Sequence, residues 1–512
     1  MHNIVQNGAK SKGKVMENKD NHKAEIYYYD IGDYLSREQK LDIITNFKSM
    51  ENLPFTKLKP NEHGDWISKR NEKFGTWIPL GDKEDKKNKN TFFVPYYSNG
   101  LKTSRDAWCY NSNKYELFGN VKDTIEFYNS EVNRYKEALK KDPKLKVENF
   151  VNFNTNRFTW DRTQKQNDAP KCRLYDFKKS SLRLSLYRPF FKQYSYMDRQ
   201  INNCVYQMPQ LFPSFTHKNL LICVPGLGDK KNYSVLITDA MSDLGLLSAC
   251  QCFPLYWYET IEPEQNSLFG DDAKIVRHEA VSDFILERAQ GKYGNKVQKE
   301  DIFYYVYGIL HSKSYRKTFS ADLKKMLPRI PLISDYEKFW AFSKAGRELA
   351  NLHLNYEQIA AYPDTTIESL ENKEYASLNS KNISDDDGLL VAEKPKAGTS
   401  NSEYEYYEVQ QMKFPKKGQK DTIIYNHYHT VKNIPEKAYE YVVNGKSAIE
   451  WIMERYAVTT DKKSGITNNP NDWSKEHEKP RYILDLLLSI INVSVQTVDI
   501  VNALPDVEWE KE

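Results

Sequence analysis

The sequence predicts an α+β chain of several domains, in which mixed sheets are joined to a helical subdomain. Its 512 residues are enough for about two to four domains. Stretches with the two-residue alternation of strands interchange with stretches of helical period, without an internal repeat. The strongest helical patterns lie between Ala280 and Leu354, and this grouping indicates a separate helical subdomain.

Local patterns predict the elements of the first half of the chain. Residues 1–24 are rich in Lys, Asn and Gly and carry few large apolar side chains, so we expect them to be disordered. The predicted elements are a helix capped by Ser36 that carries Leu41, Ile44 and Phe47, a buried strand at Thr91–Tyr97, a helix at Val121–Leu139 with Ile125, Tyr128, Val132, Tyr135 and Leu139 on one face, and strands at Arg183–Tyr187, Leu220–Pro225 and Val235–Thr238.

The second half is predicted in the same way. Residues 372–400 are polar and interrupted by Pro395 and Gly398, which favours a surface loop or linker. The predicted elements are helices at Ala280–Ala289, Lys299–His311 and Phe339–Leu354, strands at Thr422–Tyr425 and Thr430–Val431, a helix at Ile449–Tyr456 and a long amphipathic helix at Tyr482–Ile500.

The charge of the chain is concentrated locally. A net charge of +4 excludes a histone-like polyelectrolyte. Residues 131–200 hold 17 Lys or Arg against 8 Asp or Glu, a balance of +9, which leaves the rest of the chain at about −5. The 36 tyrosines could supply stacking faces and hydroxyls to a polar partner, or could reflect the composition of an AT-rich genome. Any nucleic-acid surface is therefore expected to be local.

The cysteines and the apolar segments bear on cofactors and location. Six cysteines occur without a Cys-x-x-Cys pair or a neighbouring His, so a zinc site is not expected and the thiols are predicted to be reduced and buried. No window is expected to approach the roughly 18 apolar residues of a membrane span. The sequence therefore predicts a soluble cytoplasmic protein without membrane contact.

Catalytic motifs of a DNA-modifying enzyme are missing from the sequence. It has no Pro-Pro pair, and Asn469-Pro-Asn-Asp-Trp473 is interpreted as a turn rather than as the motif that holds a flipped adenine. It also lacks a Phe-x-Gly-x-Gly strand end for S-adenosylmethionine and a Gly-x-x-x-x-Gly-Lys-Ser/Thr phosphate loop for ATP. Gly226-Leu-Gly228-Asp229 is interpreted as a turn that could approach DNA closely.

Two further interpretations of the sequence as a catalytic site are not favoured. Pro363-Asp364 and Glu371-Asn-Lys373 resemble a nuclease pattern, but such a site needs a strand hairpin and Thr365–Lys373 is predicted to be a charged helix or loop. His311 and His353 lie in apolar helical stretches, so they are expected to be core or surface residues rather than bases.

The basic block and the residues after the glycine turn supply the candidate DNA contacts. Basic side chains can contact phosphates, while Asn and Gln amides can read adenine edges. The candidates for phosphate contact are Arg157, Arg162, Arg173, Arg183, Arg188, Lys192, Arg199, Lys230 and Lys231, and those for base contact are Gln193, Gln200, Asn202, Asn203 and Gln207; Arg199 can also reach bases. The alternative for Arg188 is a structural corner, in which it forms an internal salt bridge and Pro189 ends a strand.

The chain resembles a known family in several ordered blocks. The blocks are Asn61–Trp66, Gly100–Trp108, Tyr187-Arg-Pro-Phe190, Tyr194–Asp198, Gly226–Gly228 with Tyr233–Ala240, Ala249–Tyr258 and Tyr439–Trp451. In order and spacing they resemble the C-terminal specificity region of Type ISP single-chain restriction-modification enzymes and of related gamma-class adenine methyltransferases. The resemblance extends from about Glu25 to about Pro505.

That resemblance implies an organisation and a function. It implies a methyltransferase-adjacent segment at 25–130, a mixed-sheet target-recognition domain with a helical subdomain at 131–371, and an α+β part of the specificity region at 401–512. The implied function is sequence-specific recognition of double-stranded DNA by a truncated or split enzyme, which is not itself catalytic. S-adenosylmethionine, ATP and Mg would belong to a methyltransferase, translocase and nuclease polypeptide encoded separately.

Two other hypotheses stay open on the sequence. The chain could be an inactive remnant of such an enzyme, which an upstream reading frame with methyltransferase motifs would argue against. It could also be an enzyme with an unrecognised site, which predicts hydrolysis of DNA or a cofactor by the purified chain.

Overall fold

A computed structural model of the chain describes residues 25–32, 35–67, 69–85, 88–229, 231–261, 274–369 and 401–512. The chain divides into two units, Met1–Glu72 and Lys73–Glu512. The predicted disordered segment 1–24 and the predicted linker 372–400 lie outside the described residues, and so does Lys230.

The first unit contains an antiparallel strand pair and a capped helix. These are β1 (Ile26–Tyr28), β2 (Thr56–Leu58) and α1 (Arg37–Asn46). The cap predicted at Ser36 is confirmed: its hydroxyl accepts the Gln39 N–H, and the Gln39 side chain accepts the Ser36 N–H. The apolar stripe of α1 is not buried, because Leu41 and Ile44 are about half exposed.

The remaining strands form several small sheets. They are β3 (Ile78–Pro79), β4 (Ser98–Asn99), β5 (Tyr110–Asn111), β6 (Leu182–Arg188), β7 (Phe191–Tyr196), β8 (Leu221–Val224), β9 (Leu236–Thr238), β10 (Met241–Ser242), β11 (Gln251–Pro254), β12 (Tyr256–Ile261), β13 (Lys274–Glu279), β14 (Arg329–Ile330), β15 (Thr366–Ser369), β16 (Ile423–Ile424), β17 (His429–Lys432), β18 (Val442–Val443), β19 (Lys446–Ser447), β20 (Thr459–Thr460) and β21 (Thr467–Asn468). This arrangement confirms the mixed α and β class.

The remaining α-helices lie between and after these strands, singly or in groups. They are α2 (Glu72–Thr76), α3 (Asp106–Cys109), α4 (Lys114–Leu139), α5 (Met208–Leu211), α6 (Asp283–Tyr293), α7 (Lys299–His311), α8 (Lys313–Thr318), α9 (Ser320–Leu323), α10 (Tyr336–Leu354), α11 (Asn401–Tyr407), α12 (Ala448–Arg455), α13 (Asn471–Glu476) and α14 (Tyr482–Asn502). The predicted helices at 121–139, 280–289, 299–311, 339–354 and 449–456 are thereby confirmed. The predicted domain boundary at residue 130 falls inside α4.

Two four-stranded sheets form the centre of the second unit. One has the order β10-β6-β7-β5, in which β6 and β7 are an antiparallel hairpin and β10 runs parallel to β6. The other has the order β4-β11-β8-β9 and is antiparallel throughout. The hairpin β6–β7 therefore carries the Tyr-Arg-Pro-Phe block at its turn.

The antiparallel sheet separates two hydrophobic cores. Along β8, Leu221 and Cys223 belong to the core that includes α4 and α14, whereas Ile222 and Val224 belong to the core of α6, α7 and α10. A strand that is buried on both faces needs a continuous apolar run, as in a fully buried sheet. This explains why the sequence is apolar without alternation at 220–224.

Two glycines bring helices α7 and α10 into close contact. A Cβ added at Gly308 would lie 2.2 Å from the Phe342 carbonyl oxygen, and one added at Gly346 would lie 1.9 Å from the Tyr304 carbonyl oxygen. The backbones of the two helices therefore touch where they cross.

Two predicted elements are wrong. Thr91–Tyr97 is not a strand but irregular backbone with a single bridge from Phe93 to Val281, although Phe92 and Phe93 are fully buried as expected. Pro95 lacks an N–H for a ladder. Thr365–Lys373 is not a charged helix or loop where it is described, because Thr366–Ser369 forms β15 against β17. Its partner is about sixty residues away, so the local pattern does not reveal the pairing; Glu371 and Lys373 lie outside the described residues.

Helix α14 confirms the amphipathic helix predicted there. Its side chains outside the core include Asp485, Asn492 and Asp499, which lie on one side of the helix. Buried residues such as Leu487 and Ile491 cover the rest of the circumference. By length and hydropathy alone α14 could cross a membrane, contrary to the expectation that no window approaches a span. However, 72% of its most apolar window is buried inside the chain, which is the behaviour of a core helix.

Candidate nucleic-acid interface

Arg183 is a buried residue of strand β6. Its Nε donates to the Phe212 carbonyl oxygen at 3.0 Å, and its Nη1 donates to the Ser180 and Leu182 carbonyl oxygens at 2.7 and 2.8 Å. Burial lowers the pKa of Arg183 to about 10. These bonds hold the loop after α5 to the hairpin, so the guanidinium has a structural role in this arrangement.

Arg188 forms the internal salt bridge that the sequence offered as its alternative role. Its guanidinium donates to the Asp243 carboxylate at 2.6 Å, lies 3.6 Å from the Asp106 carboxylate and covers the Tyr187 ring at 3.8 Å. Desolvation raises the pKa of Asp243 to about 6, although the arginine beside it acts in the opposite direction. The corner of the hairpin is thus held by a buried ion pair.

The next two candidates on β7 are also engaged within the chain. Lys192 Nζ donates to the Glu357 carboxylate at 3.1 Å and lies 3.9 Å from the Asp239 carboxylate. Gln193 is buried, and its Nε2 donates to the Asn468 side-chain oxygen at 2.7 Å. A DNA contact by either side chain would require these bonds to be exchanged.

Asn202 is buried in the turn that follows β7. Its Oδ1 accepts the Asp198 N–H at 2.8 Å, and its Nδ2 donates to the Cys109 sulfur at 3.5 Å. The adjacent Ile201 carbonyl accepts a bond of 2.7 Å from the fully buried Arg105. The amide edge of Asn202 is therefore already used to fix the turn.

The other predicted contacts differ in exposure: Arg173 is exposed, whereas Gln200 and Asn203 are half-buried and bonded to Asp176 and Asp161. Arg157, Arg162, Arg199 and Lys231 are exposed, and Gln207 is half-buried. Arg162 Nε donates to the Gln166 side-chain oxygen at 2.8 Å. The structure thus divides the predicted contacts into a set that is bonded within the chain and an exposed basic set. DNA contact by any of these residues stays a prediction.

Three cysteines converge, although they are scattered along the sequence. Cys223 and Cys252 face each other across β8 and β11 with their sulfurs 3.9 Å apart, and Cys250 lies 3.8 Å from Cys252. All three are fully buried and lie within 4.8 Å of one another, a grouping that could hold a metal. Burial raises the pKa values of the Cys223 and Cys252 thiols well above the usual value for cysteine. A metal would therefore have to displace the protons of these thiols.

His311 and His353 are buried in the helical subdomain. His353 Nδ1 lies 2.6 Å from the Tyr307 hydroxyl, and its Nε2 lies 3.0 Å from the Thr497 hydroxyl. Burial lowers the pKa of His353 to about 3 and that of His311 well below its usual value. Both imidazoles are therefore neutral at physiological pH.

A basic cavity of about 430 Å³ was missed by the sequence analysis. We call it the basic cavity; its basic lining residues are Lys231, Lys313, Arg316, Lys317 and Lys324, and its acidic ones are Asp229 and Glu440. Residues 311–330 hold six Lys or Arg against one Asp, a local density that could have revealed it. The convergence of this segment with the Gly226–Gly228 turn could not be read from the sequence.

Comparison with known proteins identifies the family. The model of the Type ISP C-terminal specificity domain matches residues 92–486. A DNA-substrate-mimic complex of a nuclease-deletion mutant of the Type ISP enzyme LlaGI is similar at 37% identity and a TM-score of 0.76, over 96% of this chain and 40% of that one. No curated protein matches.

Two further solved structures are similar along most of the chain. The DNA-bound, ATP-dependent Type ISP enzyme LlaBIII has 35% identity and a TM-score of 0.76, over 94% of this chain and 28% of that one. The DrdV–DNA complex has 26% identity and a TM-score of 0.71, over 94% of this chain and 43% of that one. The chain thus spans less than half the length of each relative. Because the family match covers most of the sequence, the chain belongs to the family of Type ISP C-terminal specificity domains.

Proposed function

We propose that this chain recognises a target sequence in double-stranded DNA as the specificity portion of a Type ISP restriction-modification system. The observation that carries the proposal is the family match over residues 92–486 together with 37% identity to LlaGI, whose structure contains a DNA substrate mimic. The exposed residues Arg157, Arg162, Arg199 and Lys231 supply charge for phosphate contacts.

The same proposal assigns catalysis to other polypeptides. The chain spans 40% of LlaGI and 28% of LlaBIII, so methylation, translocation and cleavage would need domains that this chain does not match. S-adenosylmethionine, ATP and Mg²⁺ would be bound by a separately encoded methyltransferase, translocase and nuclease partner. The complex would act on DNA in the cytoplasm, without membrane contact.

The purified chain is expected to bind duplex DNA with an affinity that falls steeply with salt. Phosphate contacts release counterions, so the logarithm of affinity should fall linearly with the logarithm of salt concentration, by about 0.9 for each phosphate contacted. Fluorescence anisotropy between about 50 and 200 mM salt measures this slope, and selection from a random duplex pool gives the preferred sequence. Affinity independent of salt, or no sequence preference after selection, would contradict the proposal.

Alanine substitutions should separate base contacts from structural residues in the polar stretch after β7. Gln207→Ala is expected to weaken binding to the preferred sequence by about 1–3 kcal/mol with little effect on random DNA, because a bidentate base contact is lost. Asn202→Ala is expected to lower the melting temperature, since the half-buried Asp198 N–H loses its acceptor.

Melting and competition binding are measured on both variants. Arg157→Ala is the control for a phosphate contact, because Arg157 is exposed and was a candidate for phosphate contact only. This variant should weaken binding to preferred and random DNA alike. Unchanged discrimination in Gln207→Ala would remove this residue from the recognition site. A selective loss of the preferred sequence in Asn202→Ala, at an unchanged melting temperature, would instead show that its buried amide reaches DNA.

A further inference from the structure

The basic cavity is lined by five basic and two acidic side chains, an excess of three positive charges. Helices α8 and α9 supply part of its lining, and Pro225, Asp229 and residues 231–234 supply another part. Like charges that converge in one cavity repel one another, and an anion relieves that repulsion. The net positive charge of the cavity therefore favours the binding of a negative group.

None of the five cations is paired with a carboxylate in the described part of the chain. Arg316 Nε donates to the Leu310 carbonyl oxygen at 2.5 Å, and Lys313 Nζ donates to the neutral Asn502 side chain at 2.6 Å. Lys231, Lys317 and Lys324 are exposed and have no ion pair within the described ranges. By contrast, Arg188 contacts two carboxylates and Arg347 another two.

Arg316 is positioned to be the main donor. Its guanidinium is partly buried beside the Tyr233 ring, 6.0 Å from the ring centre, and burial lowers its pKa. Within the described residues its two terminal nitrogens make no hydrogen bond, so their donors are available at the cavity. A guanidinium with free donors matches the oxygens of a phosphate.

The Tyr233 hydroxyl offers a further donor. It is buried and has no hydrogen-bond partner within the described residues, which is unfavourable for a polar group. Of the two acids, Asp229 accepts the Lys231 N–H at 3.2 Å and so holds the turn, while Glu440 is exposed. The donors therefore outnumber the acceptors around the cavity.

The glycine turn leaves room for a large ligand to approach. Gly228 has a φ of +81°, and a Cβ added there would meet no atom within 4 Å, so its backbone borders open space. The neighbouring Leu227 is 47% exposed. No side chain projects from Gly228, so a backbone phosphate that approaches the cavity meets no Cβ at this turn.

We propose that the basic cavity binds a phosphate group, held by Arg316, Lys317 and Lys324. Two sources share this chemistry, a phosphodiester of duplex DNA and a small free polyphosphate. We assign the first, an assignment that rests on the proposed DNA-binding function, and the experiment below distinguishes it from the second.

The test uses a double variant of two exposed lysines, Lys317→Gln/Lys324→Gln, in the full chain. The matched control is Lys296→Gln/Lys344→Gln, which removes the same charge from exposed helix and turn positions away from the cavity. Both variants are first compared with the unaltered chain by circular dichroism and melting. Anisotropy with preferred and random duplexes and calorimetry with inorganic pyrophosphate are then measured on all three.

For a DNA phosphate, the cavity variant should bind both duplexes about tenfold more weakly, with a salt slope flatter by about one unit, while the control keeps its slope. A second outcome has three parts: the unaltered chain binds pyrophosphate, the cavity variant does not, and the salt slopes for DNA are unchanged. In that case the cavity is a phosphate site, and its ligand is a free polyphosphate. If the chain binds no DNA, the proposed function fails, and pyrophosphate binding alone decides the cavity. Equal behaviour of cavity and control variants in both arms would overturn the phosphate site.

Discussion

Gly346→Ala is expected to destabilise the chain by roughly 3 kcal/mol or more, because the new methyl group would overlap a backbone atom. The added Cβ would lie 1.9 Å from the Tyr304 carbonyl oxygen and 3.0 Å from the Gly308 nitrogen. Relief requires helices α7 and α10 to separate, which exposes the core that both helices share. The chain is then expected to melt at a markedly lower temperature, or to be insoluble.

Chemical unfolding monitored by circular dichroism checks this prediction. Gly119→Ala is the control, because Gly119 lies in helix α4 and its added Cβ would meet no atom within 4 Å. Alanine has the higher helix propensity, so the control should be stabilised by about 0.5–1 kcal/mol. Equal unfolding free energies for the two variants would show that α7 and α10 do not cross at these glycines.

Arg188→Met is expected to destabilise the chain by about 3–5 kcal/mol at pH 8, because it leaves the buried Asp243 carboxylate without its cation. The side chains of Arg188 and Asp243 are 17% and 5% exposed, so water cannot replace the lost partner. If Arg188 acted only on DNA, the variant would lose binding while its unfolding free energy stayed unchanged.

The loss should also depend on pH. Burial raises the pKa of Asp243 to about 6 in the folded chain, so the folded state favours the protonated carboxyl. This contribution to the free energy of unfolding is present at low pH and is lost as pH rises through about 6. Arg188 lowers this pKa, and its removal therefore extends the loss to higher pH. Destabilisation by Arg188→Met should be smaller at pH 5 than at pH 8.

Urea unfolding at the two pH values measures this difference. The control is Arg481→Met, whose partner Asp485 lies one helical turn away and is 55% exposed. An exposed pair of this kind contributes only about 0.3–0.5 kcal/mol. An Arg188→Met effect as small as that of the control, or one that grows towards pH 5, would refute the buried ion pair.

Local patterns were sufficient for elements whose stabilising contacts are close in sequence. Helix α4 carries Ile125, Tyr128, Val132 and Tyr135 on its buried face as the helical period predicts, and Ser36 caps α1 through a residue three positions on. The same patterns failed at Thr366–Ser369, since a strand's partner can lie anywhere in the chain.

For the candidate site, the sequence indicated a basic block but not which of its side chains remain accessible. Arg183 and Asn202 are residue types that often contact DNA, yet both are buried and bonded to the backbone of the same chain. Burial depends on distant residues such as Phe212, which no local charge pattern reveals.

The sequence by itself determined the family, because the order and spacing of its blocks are preserved along most of the chain, and it determined the helices, because their period is local. The tertiary structure decided the electrostatics of the surface. Arg188 is neutralised by Asp243, 55 positions away, whereas Lys231 meets Arg316 and Lys324 in a cavity without a paired carboxylate among the described residues. Coulomb interactions depend on distance in space, and that distance is set only when the chain has folded.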